Sequence, residues 1–307
     1  MKRILFSLAL LASSVCSWAQ LSEANYRIYS VKLDKEVPLN VVAEDLINYD
    51  VLFFGEEHND SVTHYLEHTL FALLFDKYPD VALSMEMFER DVQPVMNEYL
   101  LGFIKEKQFI KDARAWSNYR DYRPMVEFAK ANGIDVICAN AAGRYSNLAG
   151  RKGQEYLKKL PNASKDNFAP LPYKVATGKY LEKLTGVGEH STGSDTAKAP
   201  AMPAGMGGFD LVTAQSLWDA TMAYSIAEYK KKGANKSKKI MQVNGRFHSD
   251  EGFAVVEQLG EYNPKLKKMV VSTCSDESFP KIDWSKYKKN GNYIIVTDPK
   301  VPRTYDN

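Results

Sequence analysis

Short runs of apolar and β-branched residues recur along the chain and most strongly constrain its fold. They occupy residues 51–55, 81–85, 134–139, 240–244, 269–273 and 293–297. Runs that are apolar almost throughout are typical of strands buried on both faces of a parallel sheet. Amphipathic stretches with helical spacing lie between them, at residues 61–77, 124–132, 211–232 and 251–262. This alternation predicts an α/β fold with a largely parallel sheet flanked by helices, right-handed crossovers and a smaller helical subdomain.

Two long stretches interrupt this alternation and predict helical insertions in one domain that spans residues 20–307. Residues 91–123 have a helical and aromatic pattern, and residues 145–215 combine short helical pieces with a loop. The loop, residues 186–208, is rich in Gly, Ser, Ala and Pro and has few apolar anchors. It either covers a functional site or is an insertion without a role of its own.

The N-terminus has the pattern of a secretory signal peptide over residues 1–19. Lys2 and Arg3 precede a short apolar run, and Ser17 and Ala19 place small residues at the two positions that a signal peptidase reads. The run is too short to span a bilayer. Cys16 raises lipid anchoring as an alternative, although the residues before it do not have the pattern of a lipid-anchored protein. We therefore expect a periplasmic or secreted protein.

The net charge bears on the kind of partner that the protein binds, and the cysteines bear on whether it forms a disulfide. The formal net charge is +2, so removal of Lys2 and Arg3 leaves a neutral mature chain. Neutrality argues against nucleic acid as the partner. Cys138 and Cys274 remain after cleavage, at the ends of predicted strands. An oxidising compartment permits a disulfide, but the pattern slightly favours two buried thiols.

Three predicted strands end near residues whose side chains can bind a ligand or transfer a proton. His58 follows Gly55 after the first strand, Glu86 follows the second, and His248 follows Gly245 after the fourth. The carboxyl ends of parallel strands meet at one crevice, where ligands bind. An acid within apolar sequence also requires a partner, because buried carboxylates are rarely left alone. We expect His58, Glu86 and His248 to form one functional site.

Two further histidines follow on the first predicted helix. His64 and His68 are four residues apart, so a helix places both on one face. The pair resembles a metal-binding pair, but it lacks the intervening Glu of the zincin motif.

Five motifs along the chain occur in the order seen in the ChaN-like haem-binding proteins, which the chain therefore resembles. The motifs are Gly55-Glu56-Glu57-His58 with His64, Met85-Glu86-Met87-Phe88-Glu89-Arg90, Tyr119-Arg120-Asp121-Tyr122-Arg123-Pro124, Leu217-Trp218-Asp219-Ala220-Thr221-Met222-Ala223 and Asn244-Gly245-Arg246-Phe247-His248. The family belongs to a superfamily with the Tiki metalloproteases and erythromycin-esterase-like enzymes. The resemblance implies a parallel α/β core, export, and a role in haem or iron acquisition.

Haem binding is the first of two hypotheses for function. Haem requires apolar walls, an axial ligand and cations for its propionates, and Tyr is a known ligand of ferric haem. The residues that we expect at the haem are Tyr119, Tyr122, Arg123, Arg144 and His64. One of the two tyrosines would be the axial ligand, and the arginines would hold the propionates. The expected partners are haem, an outer-membrane haem uptake system and a second copy of the chain in a homodimer.

A hydrolase is the second hypothesis, since the wider superfamily uses a Gly-x-x-His motif, an acid and a distal His. His58, Glu86 and His248 would then bind a zinc or iron ion with open coordination positions. Alternatively, Glu86 or Glu56 would act as a general base on water without a metal. The Tyr-Arg segment distinguishes the hypotheses, because haem binding requires it and hydrolysis does not.

The signal peptide gives the first testable prediction. N-terminal sequencing of the mature protein should begin at Gln20, one residue after the predicted cleavage site. A mature protein that begins at an acylated Cys16 would contradict a soluble exported form.

Overall fold

The computed structural model describes residues 21–186 and 208–306. The predicted signal peptide, Cys16 and nearly all of the loop at 186–208 lie outside the described residues. Within the described residues, no helix is long and apolar enough to cross a membrane.

An eight-stranded sheet forms the centre of the fold. Its strands are β1 (Tyr26–Ser30), β2 (Lys35–Glu36), β3 (Val51–Glu56), β4 (Ala82–Glu89), β5 (Val136–Asn140), β6 (Ile240–Gly245), β7 (Lys268–Ser275) and β8 (Tyr293–Thr297). They lie in the order β2-β1-β8-β7-β3-β6-β4-β5. The six strands from β8 to β5 are parallel, whereas β1 pairs antiparallel with β8 and with β2. The predicted α/β class with a largely parallel sheet is confirmed.

The helices pack on both faces of this sheet. They are α1 (Leu39–Asp45), α2 (Ser61–Lys77), α3 (Gln93–Leu100), α4 (Glu106–Asp112), α5 (Tyr119–Asn132), α6 (Gly143–Lys152), α7 (Gln154–Leu157), α8 (Asn162–Lys165), α9 (Gly178–Thr185), α10 (Leu211–Lys231) and α11 (Ala254–Tyr262). The predicted insertion at 91–123 contains α3, α4 and the start of α5. The predicted insertion at 145–215 contains most of α6, the helices α7 to α9 and the start of α10.

Two helix starts differ from the predicted ones. Helix α5 begins at Tyr119, five residues before the predicted start, and contains Pro124. Because Pro124 lies in the second turn, its ring removes only the hydrogen bond to the carbonyl of Arg120. Helix α11 begins at Ala254 rather than at residue 251, since Glu251 and Gly252 have φ angles of 62° and 74°. Such angles are outside the right-handed helical region.

Alternation along β3 decides which face of the sheet each of its side chains occupies. Leu52 and Phe54 pack with α1, α2 and α5, whereas Val51 and Phe53 pack with α10 and α11. Because the side-chain period of a strand is two, the last residue of β3, Glu56, faces α2 and α5. A carboxylate therefore lies beneath a helical layer.

The two cysteines lie on strands that are far apart. Cys274 is in β7 and Cys138 is in β5, and three strands separate them. At the usual strand spacing they are about 19 Å apart, which no disulfide can bridge.

Close packing at the end of β3 gives a prediction about stability. A Cβ on Gly55 would lie 2.7 Å from Ser249 Oγ and 2.9 Å from Arg246 Cα, and this second contact is with backbone. We expect Gly55→Ala to lower the free energy of unfolding by about 1–3 kcal/mol, since the backbone must move. Gly233→Ala is the control, because a Cβ there meets no described atom within 4 Å. Urea denaturation of both variants checks this, and equal midpoints would contradict it.

Candidate functional site

The predicted strand-end residues surround Gly245, which pairs with Glu56 in the β3–β6 register. The backbone nitrogen of Gly245 donates a hydrogen bond to Glu86 Oε2 at 2.8 Å. A Cβ on Gly245 would lie 2.8 Å from Nε2 of His58, so only glycine leaves room for the imidazole. His248 Nε2 is 3.5 Å from Glu86 Oε1. The structure thus brings His58, Glu86 and His248 to one place.

A buried carboxylate organises the side of the site that faces α2 and α5. Glu56 Oε1 lies 2.7 Å from Nδ1 of His58 and accepts a hydrogen bond from the Tyr122 hydroxyl at 2.8 Å. Glu56 Oε2 lies 3.3 Å from Nδ1 of His64. His64 Nδ1 is also 3.1 Å from Glu67 Oε2 on the same helix. We call Glu56, His58, His64, Glu67 and Tyr122 the Glu56 network.

The pKa shifts in the Glu56 network follow from burial and from charge. Burial alone would raise the pKa of Glu56, but His58 and His64 lower it to about 2, so the carboxylate is ionised. Burial opposes a charge on His58, yet the Glu56 carboxylate raises its pKa. Burial and the nearby Glu56 carboxylate raise the pKa of Glu67. Burial also raises the pKa of Tyr122, and the carboxylates of Glu56 and Glu67 raise it further.

A second network lies on the side of the site that includes α9 and α10. His248 Nδ1 is 2.6 Å from Asp219 Oδ1, and Asp219 Oδ2 accepts a hydrogen bond from the Tyr180 hydroxyl at 2.7 Å. Burial opposes the charged form of His248, but Glu86 and Asp219 raise its pKa to about 9. We call His248, Glu86, Asp219 and Tyr180 the His248 network.

The His248 network bears on the predicted metal site. Both ring nitrogens of His248 face carboxylate oxygens, so the ring is an imidazolium and directs no lone pair at an ion. A metal ligand must be the neutral imidazole. Binding of zinc or iron by His58, Glu86 and His248 would require His248 to lose the proton on Nε2 that faces Glu86, and it stays a prediction.

The two tyrosines predicted as axial ligands are buried beneath the site. Tyr122 is 1% exposed and donates to Glu56. Tyr119 packs against Phe88 and Phe109, and its hydroxyl is buried without a partner among the described residues. Burial raises the pKa of both hydroxyls, and nearby carboxylates add to this effect. Ligation by either tyrosine would require its buried hydroxyl to reach the iron and to lose its proton on coordination, and it stays a prediction.

The two arginines predicted at the propionates are both in ion pairs. Arg123 forms an ion pair with Glu106, and Arg144 forms one with Asp91 and also donates to the Tyr145 hydroxyl. Both pairs are at the surface, where each contributes little to stability.

The accessible part of the site is the ring of His58, whose side chain is 36% exposed. The indole of Trp116 meets this ring edge-on, with centroids 5.3 Å apart. The segment near the C-terminus borders it, because Asn59 donates to the carbonyl of Tyr305 and Arg120 donates to the carbonyl of Thr304. We call His58, Trp116, Arg120 and Tyr305 the His58 rim.

Sequence reasoning assigned no role in the site to Glu67, Asp219, Tyr180 or Tyr305. Glu67 lies on the buried face of α2, between Thr63 and Leu70. An acidic residue at a position with apolar spacing indicates a buried carboxylate in the sequence itself. Asp219 is buried in α10 in the same way. Tyr305 has no comparable signal, since only the path of the chain brings it near His58.

Comparison with known proteins identifies the family. The sequence pattern of the family described as haem-binding uptake, Tiki superfamily, ChaN matches residues 42–259. The chain belongs to this family. The matched range contains the whole of both networks, and the resemblance stated from the motifs is confirmed. No curated relative matches the chain by sequence.

One solved structure shows the same fold. The ChaN protein of Campylobacter jejuni, described with cofacial heme binding, superposes with a TM-score of 0.63 at 15% identity, covering 90% of this chain and 98% of that chain. The type III effector HopBA1 has a TM-score of 0.45 at 12% identity, covering 85% and 93%. RRSP, a MARTX toxin effector domain from Vibrio vulnificus, has a TM-score of 0.42 at 16% identity, covering 89% and 42%. The last two scores are too low to support an inference.

The raised pKa of His248 gives a prediction for stability against pH. A raised folded-state pKa contributes stability that is fully present below the unfolded value of about 6.5. This contribution is lost as the pH rises through about 9. The wild type should therefore exceed His248→Gln in free energy of unfolding by more at about pH 6 than at about pH 10. Urea denaturation at the two pH values checks this, and an equal difference at both would show that His248 is not charged.

Proposed function

We propose that this protein binds haem at the His58 rim, with His58 as the axial ligand of the iron. The membership of the chain in the haem-binding uptake family supports haem as the ligand. The observation that carries the choice of ligand is the position of His58, whose side chain is 36% exposed while its Nδ1 is held by Glu56 and its Nε2 lies beside Gly245.

The contact with Glu56 prepares His58 for a metal. With Nδ1–H donated to the carboxylate at 2.7 Å, the lone pair of the neutral ring is on Nε2. Histidines that bind metals almost always donate their other N–H in this way, which orients the ring and increases its basicity. Tyr122 supports the arrangement, since its hydroxyl donates to the same Glu56 oxygen at 2.8 Å.

The residues of the His58 rim fit the other needs of haem. Trp116 and Tyr305 supply aromatic surface, and Tyr305 is 38% exposed. Arg120 is 72% exposed, so its guanidinium is available to a propionate. Bound haem would supply the iron, and this chain would supply the ligand and the surface. A cavity of about 600 Å³ beside β5, lined by residues such as Arg90 and Asp135, contains none of the residues of the rim.

The predicted biological setting belongs to the same proposal. We infer export from the N-terminal pattern, and a role in haem or iron acquisition from the family description. Delivery to an outer-membrane haem uptake system and formation of a homodimer remain parts of this proposal.

Ligand substitution tests which residue binds the iron. Hemin titrated into the wild type should give a Soret band, and His58→Ala should weaken the affinity by about 10-fold or more, since the axial ligand is lost. Tyr119→Phe and Tyr122→Phe should keep the wild-type band, and His68→Asn is the control. Reduction should leave haem bound, because imidazole, unlike tyrosinate, does not require ferric iron.

Three results would contradict the proposal in different ways. Loss of the band in Tyr122→Phe, with the band retained in His58→Ala, would favour the tyrosinate ligand. Loss of haem on reduction would point the same way. Absence of hemin binding by the wild type at micromolar concentration would exclude the proposed function.

A further inference from the structure

Behind His58, the interior of the Glu56 network contains a group of potential metal ligands. Glu56, His64 and Glu67 each contribute one ligand atom, and these atoms lie within 4.8 Å of one another. All three residues are buried. The group is distinct from His58, Glu86 and His248 at the crevice.

The hydrogen bonding of His64 determines what Nδ1 can do. His64 Nε2 lies 3.0 Å from the backbone carbonyl oxygen of His58, which only accepts, so Nε2 carries a hydrogen. Burial opposes a charge on His64, but Glu67 and Glu56 raise its pKa to about 10, so without a metal Nδ1 also carries a proton. Once a metal ion displaces that proton, the lone pair of Nδ1 faces Glu56 Oε2 at 3.3 Å and Glu67 Oε2 at 3.1 Å. A lone pair and two carboxylate oxygens repel one another unless a cation, either a proton or a metal ion, lies between them.

The distances around His64 are compatible with a metal ion. Charge-assisted hydrogen bonds are short, about 2.7–2.9 Å. His58 to Glu56 at 2.7 Å and His248 to Asp219 at 2.6 Å are at or below this range. The two contacts of His64 Nδ1 are longer. Ligand atoms that each lie about 2.1 Å from one ion are about 3.0–3.4 Å from one another, and the contacts of 3.1 and 3.3 Å lie within that range.

Several oxygens in this region are left without a hydrogen-bond partner. Glu56 Oε2 and Glu67 Oε1 are buried and have none among the described residues. Asp121 Oδ2 is also buried without one, 3.9 Å from His64 Nε2. Each of these carboxylates has a partner for one oxygen and none for the other. An ion beside His64 would supply a partner for the free oxygens of Glu56 and Glu67.

We propose that Glu56, His64 and Glu67 bind a divalent first-row metal ion in the interior behind His58. Two carboxylate oxygens and one imidazole nitrogen suit Zn²⁺, Mn²⁺ or Fe²⁺. Nε2 of His64, donating to a carbonyl, supplies the outer contact that such a ligand needs. The ion would fix Glu56, which in turn holds His58. This inference does not depend on haem binding.

Metal analysis of the full-length purified protein, without hemin, tests the proposal. The protein is unfolded with a chelator, then refolded with Zn²⁺, Mn²⁺ or Fe²⁺ and passed through gel filtration. We expect one bound ion per chain for at least one metal, and a higher melting temperature than in the chelated protein. Glu67→Gln should reduce the affinity by about 10-fold or more, since one ligand is lost.

A control variant and an NMR measurement of His64 complete the test. His68 lies on the same helix and packs against Phe128, so His68→Asn should retain the metal. If Glu67→Gln does not fold, long-range ¹H–¹⁵N spectra of the wild type decide. Neutral His64 with a metal-dependent Nδ1 shift supports the site. An imidazolium His64 that does not change with added metal, together with no bound ion, would show that a proton occupies the group and would overturn the proposal.

Discussion

The site depends on one buried charge, the carboxylate of Glu56 at the end of β3. Burial by itself would make this group neutral, but two histidines hold its pKa at about 2. Removing one partner of a buried charge costs about 3–5 kcal/mol, so the carboxylate ties β3 to α2 through His64 and to α5 through Tyr122. The same carboxylate orients His58 at the surface. In the proposed function, stability and haem binding would therefore depend on the same group.

Gly245 allows two charged networks to approach each other at the strand ends. His58 lies against its α-carbon, and Glu86 accepts a hydrogen bond from its nitrogen. Any side chain at this position would displace His58. The His248 network places an imidazole between two carboxylates, which supports the crevice electrostatically.

Sequence patterns predicted the fold better than the chemistry. The six parallel strands could be predicted from the sequence because both of their faces are buried and their residues are apolar almost throughout. Strands β1 and β2 were not predicted, because they are short and lie at the edge of the sheet. Strand ends identified His58 and His248. Periodicity in the aromatic segment did not show that Tyr122 faces the core, because it cannot distinguish such a tyrosine from one that faces a ligand. Glu67 was missed although its place in an apolar stripe marks it as a buried acid.

Anomalous scattering at the iron absorption edge, measured on crystals of the protein grown with hemin, is the most direct test of the account. We predict an iron peak about 2 Å from Nε2 of His58, with the ring still donating to Glu56. An iron peak bound to Tyr119, Tyr122 or a residue outside the His58 rim would contradict the proposed ligand. Crystals that contain no haem under these conditions would contradict haem binding itself.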